Sequence, residues 1–482
     1  MTWRFGGVMA LALVAGCAIG PSTHVPEVVP EQSKVGSSMP SRDSAIFDSL
    51  ARAAQLPPPV EGAAYTAQTA DAIAWLDVLR DTTLIALETK ALRDNRNIHL
   101  ALARLDEYRA LVGSARSELF PTITGNASAA SEQIVFGSTP PVPFKALRLT
   151  ADLQWELDFW GRIRKGLAAA EADRDQVAAD ERAAVLTLVA DVADNYLELL
   201  ELRQDLQLSR DALSSRDSTL RLARQRFAQG VISELDVRQF EADAAAAAAG
   251  VAQYSGMAAE KEHALSLLLG EAPGPIPETG SLDSAVAAIA VPDSVPSTLL
   301  LRRPDVESAE RALVASTARL GETIDAILPR VQITGEYGRQ SPTLSTIFGQ
   351  EHEVYTLQAG VSVPIFAGGR QGSELAAARA RVSQARATYE QAVLTALNEA
   401  ADALVAVHSG RDQLAAQASQ AASLSDAYRL AVARYQGGIA SYLEVLDAQR
   451  GYFAAELALT QSRRNYLEST VRLYKALGGK WK

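Results

Sequence analysis

The sequence predicts a mixed membrane protein, a β-barrel completed by several copies of the chain and continued by long coiled-coil helices. Three observations carry this. Two stretches alternate apolar and polar residues over a membrane-spanning length. Two others, about 68 residues each, run helical on a seven-residue ladder. The whole pattern occurs twice, at one offset of 208 residues.

The chain opens with Arg4, an apolar stretch from Gly7 to Ala15, and Val14-Ala15-Gly16-Cys17. That is the layout of an export signal, too short to span a bilayer, which assigns residues 1–16 to a signal peptide. Cys17 is the only cysteine, so it has no disulfide partner. The stretch resembles a bacterial lipoprotein signal, which implies lipidation of Cys17; several acyl chains on one residue anchor stably where one does not. An ordinary secretory signal with an incidental cysteine is the other reading.

Residues 17–87 then form an extended leader, Pro- and Ser-rich to about residue 70. A first structural repeat covers 88–270: a helix, a strand hairpin at about 121–160, and a long helix pair at 162–270. A connector at 271–302 carries Pro273, Pro275, Pro277, Pro292 and Pro296. The second repeat covers 303–478, with its hairpin at about 330–367 and its helix pair at 370–478. The offset aligns Pro121 with Pro329, Gly161-Arg162 with Gly369-Arg370, and Arg226, Gly230, Ser233, Leu235 and Val237 with Arg434, Gly438, Ser441, Leu443 and Val445.

In the first hairpin, Leu147, Leu149, Ala151, Leu153, Trp155, Leu157 and Phe159 alternate with Arg148, Thr150, Asp152, Gln154, Glu156 and Asp158. Tyr355, Leu357, Ala359, Val361, Val363 and Ile365 repeat the apolar row 208 residues on. Each strong strand has a polar-rich partner upstream, at Thr122–Glu132 and Val331–Ser341. Four strands cannot close, and an open edge in hydrocarbon leaves backbone groups unsatisfied, so copies must combine. Two copies give eight strands and a barrel filled by its own side chains; three give twelve and room for an aqueous lumen.

The helices run without proline from Arg162 to about Gln229 and from Arg370 to about Gln436, on the order of 100 Å each. Val185, Val192, Leu199, Leu206, Leu213, Leu220 and Phe227 form one ladder; Val393, Ala400, Val407, Leu414, Ala421, Tyr428 and Tyr435 form the other. Such a heptad imposes left-handed supercoiling. Gly230 and Gly437-Gly438 end the outgoing helices, and returning helices run to Gly270 and Gly478.

The net charge of −11 with no basic cluster excludes nucleic acid as a partner. No later stretch has eighteen consecutive apolar residues, so any membrane span is β. His24, His99, His263, His352 and His408 show no ligand spacing, which argues against a metal site. Gly368-Gly369-Arg370-Gln371-Gly372 lacks the Lys-Ser/Thr ending of a phosphate loop. No catalytic constellation stands out, and no cofactor is expected.

The Val-Ala-Gly-Cys17 signal, Arg302-Arg303-Pro304-Asp305 opening the second unit, the duplicated halves and the paired turns together resemble the outer membrane factor family of TolC-like efflux channels, in its lipoprotein branch. The resemblance covers essentially the whole mature chain. It implies a homotrimer with a twelve-stranded barrel in the outer membrane and a twelve-helix periplasmic tunnel. It implies a periplasmic adaptor protein and an inner-membrane transporter of the RND type as partners, with conduction of small molecules rather than enzymatic work. A type I protein-secretion channel, or a lipid-anchored coiled coil without a pore, are the competing readings.

By the same resemblance, the turns close the tunnel and receive the adaptor through Gly230, Ser233, Leu235, Gly438, Ser441 and Leu443. Glu444 and Asp447 match the family's acidic constriction positions; three apart, they share one helical face, and six carboxylates on a narrow axis repel one another and attract cations. Tyr435 and Asp236 match a tyrosine–aspartate link that holds the closed tip. Ala440 stands where the family has an arginine in a second link, so closure here is expected to rest on packing and the acidic rings.

Overall fold

A computed structural model of the chain describes residues 81–134, 142–277, 280–288, 302–437 and 439–479. Cys17 and Gly438 lie outside the described residues. In chain order the helices are α1 (Thr82–Asp94), α2 (Arg96–Ser117), α3 (Arg162–Ala228), α4 (Glu234–Leu268), α5 (Leu282–Ala288), α6 (Pro304–Asp325), α7 (Arg370–Gln436) and α8 (Tyr442–Ala476). The strands are β1 (Thr122–Ile134), β2 (Val142–Leu157), β3 (Arg330–Ser341) and β4 (Glu353–Ser362).

One compact unit gathers Arg104–Ala178 and Ser308–Gln391 around the sheet. Its strands lie in the order β1-β2-β3-β4, all antiparallel. Leu153 stands opposite Ile123 and Gly335, and Gly335 opposite Leu357, so the apolar positions of the alternation share one face. Asp152 stands opposite Thr124 and Glu336 in the polar row, where Arg148 pairs with Glu336 and the Asn126 amide donates to Asp152 at 2.6 Å. The apolar face is bare: Tyr355 is 79% and Leu357 77% exposed. Gly338 is the residue that lets β2 and β3 meet, since a Cβ there would lie 2.1 Å from the Leu149 carbonyl oxygen.

The strands end earlier than the alternation suggests. Leu157 is the last residue of β2 and Ser362 the last of β4, while Ile365, expected on the apolar row, is 95% exposed beyond the ladder. Pro364 brings no N–H to that stretch. After Leu157 the Asp158 carboxylate turns to the start of α3, accepting the backbone N–H groups of Ile163 and Arg164 at 3.0 Å each. Arg162 holds Glu156 at 2.9 Å, Lys165 holds Asp325 at 2.7 Å, and the Trp160 indole donates to the Pro329 carbonyl at 2.7 Å. These contacts fix the exit of the strands against α6.

The other unit includes Ala179–Glu307 and Ala392–Lys482. Here the ladder is the core: Val185, Val192, Leu199, Leu206 and Leu220 are buried, as are Val393, Ala400, Val407 and Ala421. Leu84, Leu87 and Ala91 of α1 and Leu467, Val471 and Tyr474 of α8 complete the largest apolar cluster. Helix α5 falls inside the connector that the proline content marks as irregular, and Asp283 on it pairs with Arg463 at 2.7 Å. The Arg-Arg-Pro-Asp motif acquires a physical reason here. Pro304 opens α6, and the buried Arg303 guanidinium joins Asp305 at 2.7 Å, Glu399 at 2.6 Å and the Ala476 carbonyl at the end of α8 at 3.0 Å.

Between α3 and α8, Arg464 bridges Glu201 at 2.5 Å and Glu468 at 2.6 Å. Beside it, burial, with the Glu201 charge adding, pushes the Asp205 carboxyl up to about 7. Burial and the Glu468 charge push Asp194 up to about 7 as well.

Candidate functional site

The two turns that link α3 to α4 and α7 to α8 are built on the same backbone device. At the first, the Val231 N–H reaches the Arg226 carbonyl at 2.9 Å and the Gly230 N–H the Phe227 carbonyl at 2.8 Å, with Gly230 at φ +75°. This is a Schellman ending, and the left-handed residue it needs is the glycine. At the second, the Ile439 N–H reaches the Arg434 carbonyl at 3.0 Å, the same long bond one repeat later.

The returning helices start differently. Ser233 N-caps α4 in a capping box: its Oγ accepts the Asp236 N–H at 3.3 Å, while the Asp236 carboxylate accepts the Ser233 N–H at 2.9 Å and its hydroxyl at 2.8 Å. The Ser233 hydroxyl and N–H hold the Asp236 carboxyl below the ordinary carboxylate range. Ser441 N-caps α8 without a side-chain bond, and Glu444 lies 3.7 Å from Arg434 instead. Glu444 and Asp447 are both exposed.

Tyr435 and Asp236, expected as a link, are not joined by a hydrogen bond within the chain among the described residues. The carboxylate of Asp236 is engaged by the cap. The Tyr435 hydroxyl instead accepts from Arg226, whose guanidinium sits 5.6 Å from the centre of the Tyr435 ring. Arg226 is a residue to which the sequence alone gives no role, and its one signal is that Arg434 occupies the same place in the second repeat.

The tip surface is apolar for exposed turns. Val231, Leu235, Ile439 and Leu443 are all exposed, with Gly230, Ser233 and Ser441 exposed between them. Beneath, Leu220, Val237 and Ala244 form a small core with Ile232 and Phe240 packed on it. Asp243 of α4 pairs with Arg450 of α8, and Arg216 of α3 sits 5.8 Å over the Phe453 ring. Among the described residues no group of three or more His, Cys, Asp or Glu side chains is placed to hold a metal ion. None of the described helices is long and apolar enough to cross a membrane.

A sheet with one bare apolar face, long heptad helices and paired tight turns define the class of outer-membrane channels. The family model for outer membrane efflux proteins matches residues 87–271 and 295–479, two segments in the register of the duplication, and the chain belongs to that family. It is 34% identical over 415 residues to the solvent efflux pump outer membrane protein SrpC of Pseudomonas putida, covering 84% of this chain and 87% of that one. It is 30% identical over 411 residues to the cation efflux system protein CusC of Escherichia coli O6:H1, covering 84% and 88%. The MtrE outer membrane channel of Neisseria gonorrhoeae, solved in its open state, matches with a TM-score of 0.75 at 28% identity, over 82% of this chain and 88% of that one. The class predicted from the sequence, an outer-membrane barrel with a helical extension, is the class found.

Proposed function

We propose that the chain is one protomer of a homotrimeric, passive exit conduit of an efflux pump. Three copies contribute their four strands each to a closed barrel in the outer membrane, and the long helices extend the conduit into the periplasm. The observation that carries this reading is the sheet itself. Its apolar face is exposed, and among the described residues β1 and β4 each keep one edge unpaired, which hydrocarbon does not tolerate. Neighbouring copies satisfy those edges, lipid covers the apolar face, and the polar row with Arg148, Asp152 and Glu336 lines an aqueous lumen.

The cargo is small molecules such as drugs and toxic compounds, in keeping with the solvent and cation efflux named for two relatives. Energy comes from an inner-membrane transporter of the RND type, reached through a periplasmic adaptor. The tip residues Gly230, Ser233, Leu235, Gly438, Ser441 and Leu443 receive that adaptor, and Glu444 and Asp447 from three copies form the acidic constriction. Cys17 carries the lipid anchor; a Cys17→Ala protein that stays as firmly on the membrane as wild type overturns that part.

The test of the assembly is the mass of the detergent-solubilised particle together with its gel mobility before and after boiling. A three-chain particle whose mobility changes on heating is the expected result. A soluble monomer or dimer with unchanged mobility contradicts the barrel and leaves a coiled coil without a pore.

A further inference from the structure

We propose that Arg226, and not Asp236, ties the two helix pairs of a protomer together, through a cation–aromatic chain that crosses all four helices at the turns. This rests on the reading of the protein as a gated conduit. A tip packed shut opens only if one helix pair moves against the other, so contacts that bridge the pairs set the resistance to opening.

The bridge runs as follows through the structure. Arg226, on the last turn of α3, donates to the Tyr435 hydroxyl and places its guanidinium over the Tyr435 ring on the last turn of α7. Tyr435 meets Tyr442, on the first turn of α8, edge to face at 5.4 Å and 69°. Tyr442 meets Phe240 of α4 at 4.5 Å, tilted by 53°. Phe240 then packs on the Leu220, Val237 and Ala244 cluster, which returns the path to α3. Each link joins side chains on different helices, so parting the pairs breaks at least two of them.

Asp236 is poorly placed to do this work. Both of its hydrogen-bond partners are atoms of Ser233, and a carboxylate that left the cap would give up the Ser233 N–H and hydroxyl and open the capping box at the start of α4. The aromatic chain also has no counterpart in the duplicated positions. The residues 208 places from Tyr435, Tyr442 and Phe240 are Phe227, Glu234 and Ala448, so the duplicated positions do not repeat the bridge.

The experiment is single-channel recording in planar bilayers of full-length wild type, Arg226→Ala, Tyr435→Leu, the double variant and Asp236→Asn, each first shown to have the wild-type particle mass. Loss of one half-buried cation–aromatic contact with its hydrogen bond is expected to raise the ratio of open to closed time about tenfold in each single variant of the bridge. The double variant is expected to gain little more, because both substitutions remove the same contact. Asp236→Asn is expected to open the channel less than Arg226→Ala does. Opening in Asp236→Asn with Arg226→Ala at the wild-type ratio overturns the proposal, as does a fully multiplicative double variant. If neither wild type nor any variant ever passes current, the conduit reading itself fails and the bridge loses its purpose with it.

Discussion

The first and second turns occupy the same place in a duplicated sequence, yet their acidic residues are used in different ways. Asp236 closes a reciprocal cap with Ser233 and is thereby tied to its own helix start. Glu444, its counterpart, leaves Ser441 uncapped and turns toward Arg434. One methylene of extra reach accompanies the difference. The first turn is a locally satisfied support, whereas the second leaves Glu444 and Asp447 exposed, as the proposed constriction requires. Duplication thus kept the backbone turn, and divergence of single side chains gave the two acidic residues different partners.

The largest test of that contrast is Leu220→Ala, which empties the small core under the first turn and is expected to cost about 2–4 kcal/mol in the thermal unfolding of the detergent-solubilised protein. At the equivalent place in the second repeat, Tyr428→Phe keeps the 5.9 Å ring stack on Tyr452 and should change stability by under about 0.5 kcal/mol. Equal losses would mean that both turns rest on comparable cores.

A second effect separates the turns from the middle of the helices and has opposite signs with pH. The Asp205 carboxyl, raised to about 7 in the fold, favours the folded state while protonated. Its contribution is complete below the ordinary value of 3.8 and is lost as pH rises toward 7, by up to about 1.4 kcal/mol per unit. The thermal midpoint should therefore fall as pH rises from about 4 to about 7, and less so in Asp205→Asn. Asp236 is shifted the other way, so its cap is complete above 3.8 and is lost as pH falls through the lowered folded value. Hydrogen exchange at the start of α4 should quicken relative to α8 on acidification; equal behaviour of the two helix starts would erase the distinction drawn between them.

Smaller still, Ser233→Ala is expected to destabilise by about 1 kcal/mol, and Ser441→Ala by less than about 0.5 kcal/mol, in the same unfolding assay. The smallest expected effect is on ion preference. Arg434→Ala removes a cation 3.7 Å from Glu444 and should shift the reversal potential modestly toward cation selectivity, with conductance nearly unchanged. A shift toward anions would mean that Glu444 does not face the permeation path.

Much of the fold was legible because its signals are periodic. The row from Leu147 to Leu157 and the ladder from Val185 to Leu220 each report one face of one element, and the same rows recur 208 residues later. What stayed hidden depends on contacts between elements distant in sequence. Arg303 looks like any charged residue in the Arg-Arg-Pro-Asp motif until the end of α8 is brought to it. Pro364 was visible, but only strand pairing decides that β4 has already ended at Ser362. At the turns, the pairing of Leu235 with Leu443 followed from the repeat, whereas the partner of Tyr435 did not. A tyrosine and an aspartate at matching positions suggested one pairing, and the cap at Ser233 diverted the aspartate to another.

Single-channel recording of the purified protein in planar bilayers tests the central claim most directly. Discrete cation-favouring openings from a three-chain particle are the result predicted for a conduit whose lumen is lined by the polar strand face and whose periplasmic mouth is ringed by Glu444 and Asp447. A protein that never enters the bilayer, or that enters and remains silent even after Arg226 and Tyr435 are replaced, would contradict it.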